Sequence, residues 1–452
     1  MKSKINRFVT LSLSVLASSS FMAFANNPVW LEADSAAAIK SRILSDFSIT
    51  WQDGIEKFHE RYGIDEATLA DWEAKHYIET KTIDGVKRIH RKSLGNAKLL
   101  NPELNGGWKY RGESASDARI SYVDSVLQWE DGRLSDGLAH YVRYRFSIDV
   151  PYDEALSGDT IRVWMPFPMN TRRQLDIKII STSQPDYVLS GDKSVHSSIS
   201  FEKPVSEGQN THFDYEASFI TTGEYVSPEY ILNNIKPYDK TSPVYVKYTS
   251  FEKPHIIQAT ELAKSIVGDE TNPYRQSELV YDYIIKHYPW AGAREYSTLE
   301  CIPEYVITEG HGDCGQVSLL YISLMRSLGV PARWESGWML HPGEKNLHDW
   351  AEVYFEGVGW VPVDVSFGRY TRATDPRAQK FYSTGMDSHR FATNLGVCED
   401  FYPAKKFVRS ETVDAQLGEV ESTKGNLFYP GWNQKLELLE VRPVEMMKVT
   451  EK

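Results

Sequence analysis

The strongest constraint on this chain's fold lies between residues 310 and 368, where a helix-period segment runs into a strand–turn–strand segment. Val317, Leu320, Tyr321, Leu324, Met325 and Leu328 recur at the i, i+3, i+4, i+7 spacing of one buried helix face. Asp313 and Gln316 form the pattern of a capping box at its start, and Gly329 followed by Pro331 stops it. Cys314 therefore falls at the first helical position, where unpaired backbone amides and the positive end of the macrodipole favour a thiolate. A thiolate is the attacking form of cysteine, so a nucleophile belongs here.

The second half of the stretch predicts a hairpin. His348–Phe355 and Trp360–Val365 are aromatic and β-branched runs around Gly357-Val358-Gly359. Register decides what the hairpin can do. A three-residue loop over 356–358 sets Trp350 opposite Asp364 and leaves His348 and Asp364 as diagonal neighbours on one face, about 7–8 Å apart at their Cβ atoms. A two-residue loop puts them on opposite faces, because side chains alternate along a strand. A catalytic histidine–aspartate pair needs the odd-length loop, and a glycine suits its left-handed position. Pro362 demands an edge strand or a bulge.

These residues resemble the transglutaminase-like superfamily. The pieces that carry the resemblance are GDCG (312–315), LGVPAR (328–333), HDWAEVY (348–354) and GWVPVD (359–364), in that order. It covers roughly 255–370 and implies cysteine chemistry on amides: transglutamination, peptide hydrolysis, deamidation or removal of N-linked sugars. By resemblance Cys314 is the nucleophile, His348 the general base and Asp364 the orienting carboxylate. Relatives flank the substrate channel with tryptophans, one of which can help hold the oxyanion beside the nucleophile's own amide. Trp290, Trp338 and Trp350 are the candidates for channel or oxyanion roles.

The mechanism so implied is acyl transfer through a thioester to water or to an amine. Water is abundant outside a cell and amine transfer needs a dry acceptor channel, so a peptidase or amidase is favoured. The rival from another class is a catalytically inactive exported binding or scaffold protein that retains the fold. No cofactor is expected, and the resemblance leaves calcium open. No metal site is expected either, because no Cys/His cluster shows ligand spacing along the chain.

Residues 1–25 have a basic start, a short apolar middle and Ala23-Phe24-Ala25 before Asn26, the pattern of a secretory signal peptide. The expected location is periplasmic or extracellular, as for an exported bacterial member of the family. Loss of Lys2, Lys4 and Arg7 takes the formal charge from −12 to −15, which argues against nucleic acid or an anionic membrane as partner. No later run is apolar enough to predict membrane insertion. A protein or peptide substrate, including cell-wall peptide, is the expected partner. Among three cysteines, Cys301 and Cys398 are free to pair if Cys314 stays reduced, or to stand as separate thiols.

The remaining chain predicts an α+β multidomain protein. Residues 26–131 read as mainly helical, with helices at 36–47, 55–62, 67–77 and 118–129, a hairpin over 77–92 around Asp84-Gly85, and a loop at 95–116. Residues 132–254 read as an antiparallel β-sandwich, with strands at 140–150, 160–168, 174–182, 212–221 and 243–249. Residues 255–400 form the papain/transglutaminase-like core, its nucleophile on a helix packed on an antiparallel sheet, after helices at 256–267 and 275–287. Residues 401–452, with strands at 426–429 and 436–444, pack back on the core or the sandwich.

Overall fold

The computed structural model describes residues 32–107, 109–128, 138–429 and 431–444, so the leader expected at 1–25 lies outside the described residues. Its centre is the helix Cys314–Ser327. The Asp313 carboxylate accepts from the Gln316 amide and the Gln316 side chain accepts from the Asp313 amide, both at 3.0 Å, so the capping box is present. The helix buries Val317, Leu320, Tyr321 and Leu324 against Ala351, Val353 and Phe355, the odd-numbered face of the strand Asn346–Phe355. That strand lies second in a four-stranded antiparallel sheet, ordered Gly359–Val363, Asn346–Phe355, Ala332–Met339 and Arg390–Asn394.

The hairpin has the three-residue loop. Phe355 pairs with Gly359 and Ala351 with Val363, which carries Trp350 opposite Asp364. Gly357 sits at φ +84°, and a Cβ there would stand 2.3 Å from the Asn234 carbonyl oxygen, so the turn needs glycine for conformation and for space. Pro362 lies in the edge strand, where its missing N–H costs no ladder bond.

Two further four-stranded antiparallel sheets share one apolar cluster. One runs Asn433–Val444, Ala139–Val150, Thr211–Thr222, Gln174–Thr182; the other runs Glu419–Ser422, Thr160–Pro166, Ser198–Pro204, Val188–Leu189. The cluster also takes in Trp338, Leu340 and Phe391, so the sheet that carries the motifs packs against this pair through the ends of the strands Ala332–Met339 and Arg390–Asn394. Both C-terminal strands, Glu419–Ser422 and Asn433–Val444, belong to these two sheets.

Several expectations are corrected. Residues 243–249 form the helix Pro243–Tyr248 rather than a strand, because Ser242 caps it and Pro243 occupies the first turn, and these outweigh the alternation of Val244 and Val246. The loop expected at 95–116 contains most of the helix Ser93–Leu100, whose apolar Leu100 and Ala97 are buried. Residues 426–429 form no strand; Asn426 makes an isolated bridge to Glu421. All three cysteines are free thiols, so the disulfide open to Cys301 and Cys398 does not form.

Candidate active site

Asp364 directly follows the edge strand, and two turn amides hold its Oδ1: Ser366 N at 3.1 Å and Phe367 N at 3.3 Å. Its Oδ2 meets His348 Nε2 at 2.7 Å and Arg390 Nη2 at 3.2 Å. Burial works to raise the Asp364 carboxyl, but the imidazole and the guanidinium outweigh it and hold the group below its ordinary range. Burial lowers His348 despite the adjacent Asp364, so the ring is neutral at neutral pH. The odd-length loop and strand pleat together produce this pair. Phe367 lies 4.7 Å from the imidazole centroid and fixes the ring from one side.

Cys314 is the first residue of the capped helix, half-buried, and its Sγ donates to Asp349 Oδ2 at 3.3 Å. No hydrogen bond joins it to His348 among the described residues. The reason is the strand pleat: His348 and Asp349 are consecutive, so they project from opposite faces, and Asp349 shares the helix-facing side with Ala351 and Val353. The thiolate expected at this helix start is also overturned. Burial pushes the Cys314 thiol well up, and the carboxyls of Asp349 and Asp313 push it further, outweighing the helix dipole. Asp349 is itself pushed well above the usual carboxylate range by burial and by Asp414 and Asp313. In this arrangement the sulfur carries its proton.

Around the thiol stand residues to which no motif pointed. Tyr296 donates to Asp313 Oδ1 at 2.5 Å. Gln416 donates to Asp349 Oδ1 at 2.5 Å and to the His348 carbonyl at 3.0 Å, reaching in from the C-terminal segment. Arg111, fully buried, donates to the carbonyls of Tyr288, Pro289 and Gly312 and so pins the loop before Cys314. Desolvation lowers its guanidinium to about 10. Only Asp349 had a usable signal: alternation within HDWAEVY puts it on the helix side once His348 is given the other.

The tryptophans part company. Trp290 is 45 % exposed, and its backbone bridges Gly312 beside the helix start, a position suited to a channel wall. Trp338 donates its indole N–H to the Gln416 carbonyl at 3.0 Å, and Trp350 donates to Glu335 Oε2 at 2.7 Å. Both are buried in packing, so neither can supply an oxyanion donor. The first amides of the helix, Cys314's own among them, have no intrahelical acceptor and remain suited to that task.

Residues 260–365 match the model of the transglutaminase-like superfamily. Over these residues the chain carries a transglutaminase-like domain. An uncharacterized protein of Haemophilus influenzae is 25% identical over 260 residues, covering 50% of this chain and 69% of its own length. The uncharacterized protein YebA of Bacillus subtilis is 26% identical over 171 residues, covering 32% of this chain and 23% of its own. Among solved structures, a candidate cysteine protease from Cytophaga hutchinsonii aligns at TM-score 0.40 and 16% identity, over 67% of this chain and 91% of that one. The periplasmic domain of TgpA from Pseudomonas aeruginosa aligns at TM-score 0.27 and 14% identity, over 60% and 96%.

Within the transglutaminase-like domain the motif residues divide into chemistry and scaffold. Arg333 and Glu352 are cross-strand partners whose side chains pair at 2.6 Å, and Arg172 joins Glu352 at 2.6 Å from the turn before the strand Gln174–Thr182. Near the His348–Asp364 pair, potential ligand atoms of His341, Asp387 and His389 lie within 4.8 Å of one another, all three residues buried. The expectation of no metal-ligand cluster rested on spacing along the chain; folding brings these three together from two strand ends.

Proposed function

We propose that the chain is a cysteine acyl-transfer enzyme acting on the amide or peptide bonds of a protein or peptide substrate, with hydrolysis favoured over amine transfer. The reading is carried by the buried His348–Asp364 bond, which occupies Nε2 and leaves Nδ1 with no hydrogen bond to any described residue. Cys314 Sγ attacks the carbonyl carbon after passing its proton to His348 Nδ1, and the oxyanion is met by amides at the helix start. The imidazolium returns that proton to the leaving amine as the C–N bond breaks, and Asp364 holds the tautomer throughout. Water, deprotonated by His348, then cleaves the thioester to a carboxylic acid and restores the thiol.

The Asp349-bonded thiol is a resting state. Reaction requires the Cys314 thiol to leave Asp349 and the His348 imidazole, which projects from the other side of its strand, to come within reach of the sulfur. No cofactor is called on. The two sheets built from 139–222 and 419–444 act as a β-sandwich scaffold for the core. Export to the periplasm or exterior completes the proposal; no helix among the described residues is long and apolar enough to cross a membrane.

The test is mass spectrometry of the intact chain after exposure to candidate peptides, cell-wall peptides included. An acyl adduct on Cys314, absent from Cys314→Ala and discharged faster by water than by added primary amine, is expected. A folded chain that forms no Cys314 adduct, or one acylated equally at Cys301 and Cys398, overturns the proposal.

A further inference from the structure

His341 follows the strand Ala332–Met339, and Asp387 and His389 precede its neighbour Arg390–Asn394. The Leu340 amide donates to the His389 carbonyl at 2.9 Å, closing the two strand ends and bringing the imidazoles together at 5.1 Å between centroids. The side chains are 1 % (His341), 0 % (Asp387) and 6 % (His389) exposed. Asp387 Oδ1 stands 3.0 Å from His341 Nε2 and 3.5 Å from His389 Nδ1.

Neither approach has hydrogen-bond direction: both of these nitrogens, and His341 Nδ1 as well, are buried without a hydrogen-bond partner. Three unpaired imidazole nitrogens in one buried cluster are costly, because buried polar atoms in folded proteins are nearly always satisfied. The spacing has another explanation. Two donors each about 2.0–2.1 Å from one ion, at tetrahedral to octahedral angles, stand about 2.8–3.4 Å apart. The Asp387–His341 distance falls in that range, the Asp387–His389 distance lies just beyond it, and all three ligand atoms stand within 4.8 Å of one another.

The surroundings are those of a ligand shell. Asp387 Oδ2 accepts from Tyr382 Oη at 2.9 Å and Arg390 Nη2 at 3.0 Å, while Oδ1 accepts from the His389 amide at 2.8 Å. The carboxylate is therefore oriented with Oδ1 toward the imidazoles, the kind of outer support that metal ligands receive. Tyr122 covers the two rings, at 5.2 Å from His341 and 4.5 Å from His389. His140, on the far side of His389, is held by Ser388 Oγ at 2.8 Å.

We propose that His341, Asp387 and His389 form a binding site for one divalent transition-metal ion of the zinc class. Two imidazoles and one carboxylate suit zinc and its borderline neighbours, whereas calcium and magnesium take oxygen shells. Three protein ligands leave a position for water. Arg390 Nη2 touches both Asp387 and Asp364, so the ion stands one guanidinium away from the His348–Asp364 pair. The site does not depend on the enzymatic reading.

The full chain, produced without a polyhistidine tag and stripped with chelator, is titrated with Co²⁺ and then with Zn²⁺. One Co²⁺ per chain is expected, with visible d–d bands, no sulfur-to-cobalt charge transfer, and displacement by Zn²⁺. His341→Ala and His389→Gln, checked for folding by circular dichroism, are each expected to weaken binding at least ~10-fold. A wild-type chain that takes up no Co²⁺ at micromolar concentration overturns the site. So does a thiolate signature, or uptake of equal strength in folded histidine variants; if the variants do not fold, stoichiometry and spectrum of the wild type decide.

Discussion

Asp364 shows how one side chain can serve structure and chemistry together. Its Oδ2 orients His348 and its Oδ1 is spent on two turn amides, so Asp364→Asn keeps the shape but reverses one hydrogen bond and selects the wrong imidazole tautomer. The rate of Cys314 acylation, followed by mass spectrometry, is expected to fall by about 10³–10⁴-fold. Gly315 gives a second residue-level prediction. Alanine for glycine within a helix ordinarily gains about 1 kcal/mol. Here a Cβ would lie 2.3 Å from Tyr296 Oη, 2.6 Å from Asp349 Oδ2 and 2.9 Å from Trp334 Cη2. Gly315→Ala is therefore expected to lose stability, by about 1–3 kcal/mol in urea unfolding. A gain would mean that the space over Cys314 is open.

At the scale of the element, the hairpin and the long helix were both legible in the chain. The capping box and the hairpin follow from residues a few places apart, while the structure chose the three-residue turn and the edge position of Pro362 from the alternatives the sequence left open. The strand Asn346–Phe355 carries two unlike faces, one against the helix and one bearing His348, Trp350 and Glu352. Glu352 is buried among Arg172, Arg173 and Arg333. Burial works to raise its carboxyl, yet the three guanidiniums hold it far below the usual range. Glu352→Ala leaves those cations facing each other without a counter-charge, and a loss of about 3–5 kcal/mol in denaturant unfolding is expected. A loss under about 1 kcal/mol would show that Glu335 and Glu224 alone satisfy the arginines.

Across the whole molecule, acid titration reports how tightly the regions close on one another. His311 lies under the N-terminal region, lowered to about 4 by burial and then by Arg111. Its ordinary value is near 6.5, so the unfolded chain takes the proton first. The stability tied to its neutral form is complete above about 6.5, falls as pH drops through the window down to about 4, and is gone below it. Thermal midpoints of His311→Gln are expected to change less across that window than those of the unchanged chain. Parallel profiles would show that the ring takes up its proton without cost.

By itself the sequence determined the parts whose causes are local: where the helix starts, which residue opens it, and that a hairpin turns near Gly357; the structure chose the three-residue loop that sets His348 and Asp364 on one face. Tertiary structure decided which acid the sulfur meets, because Cys314 and Asp349 are 35 residues apart and strand alternation turned His348 to the other side. It also brought Arg111 and Gln416 to the site and gathered His341, Asp387 and His389 into one buried cluster. Local spacing carries no trace of such meetings, since burial, desolvation and charge pairing act only after distant segments have packed together.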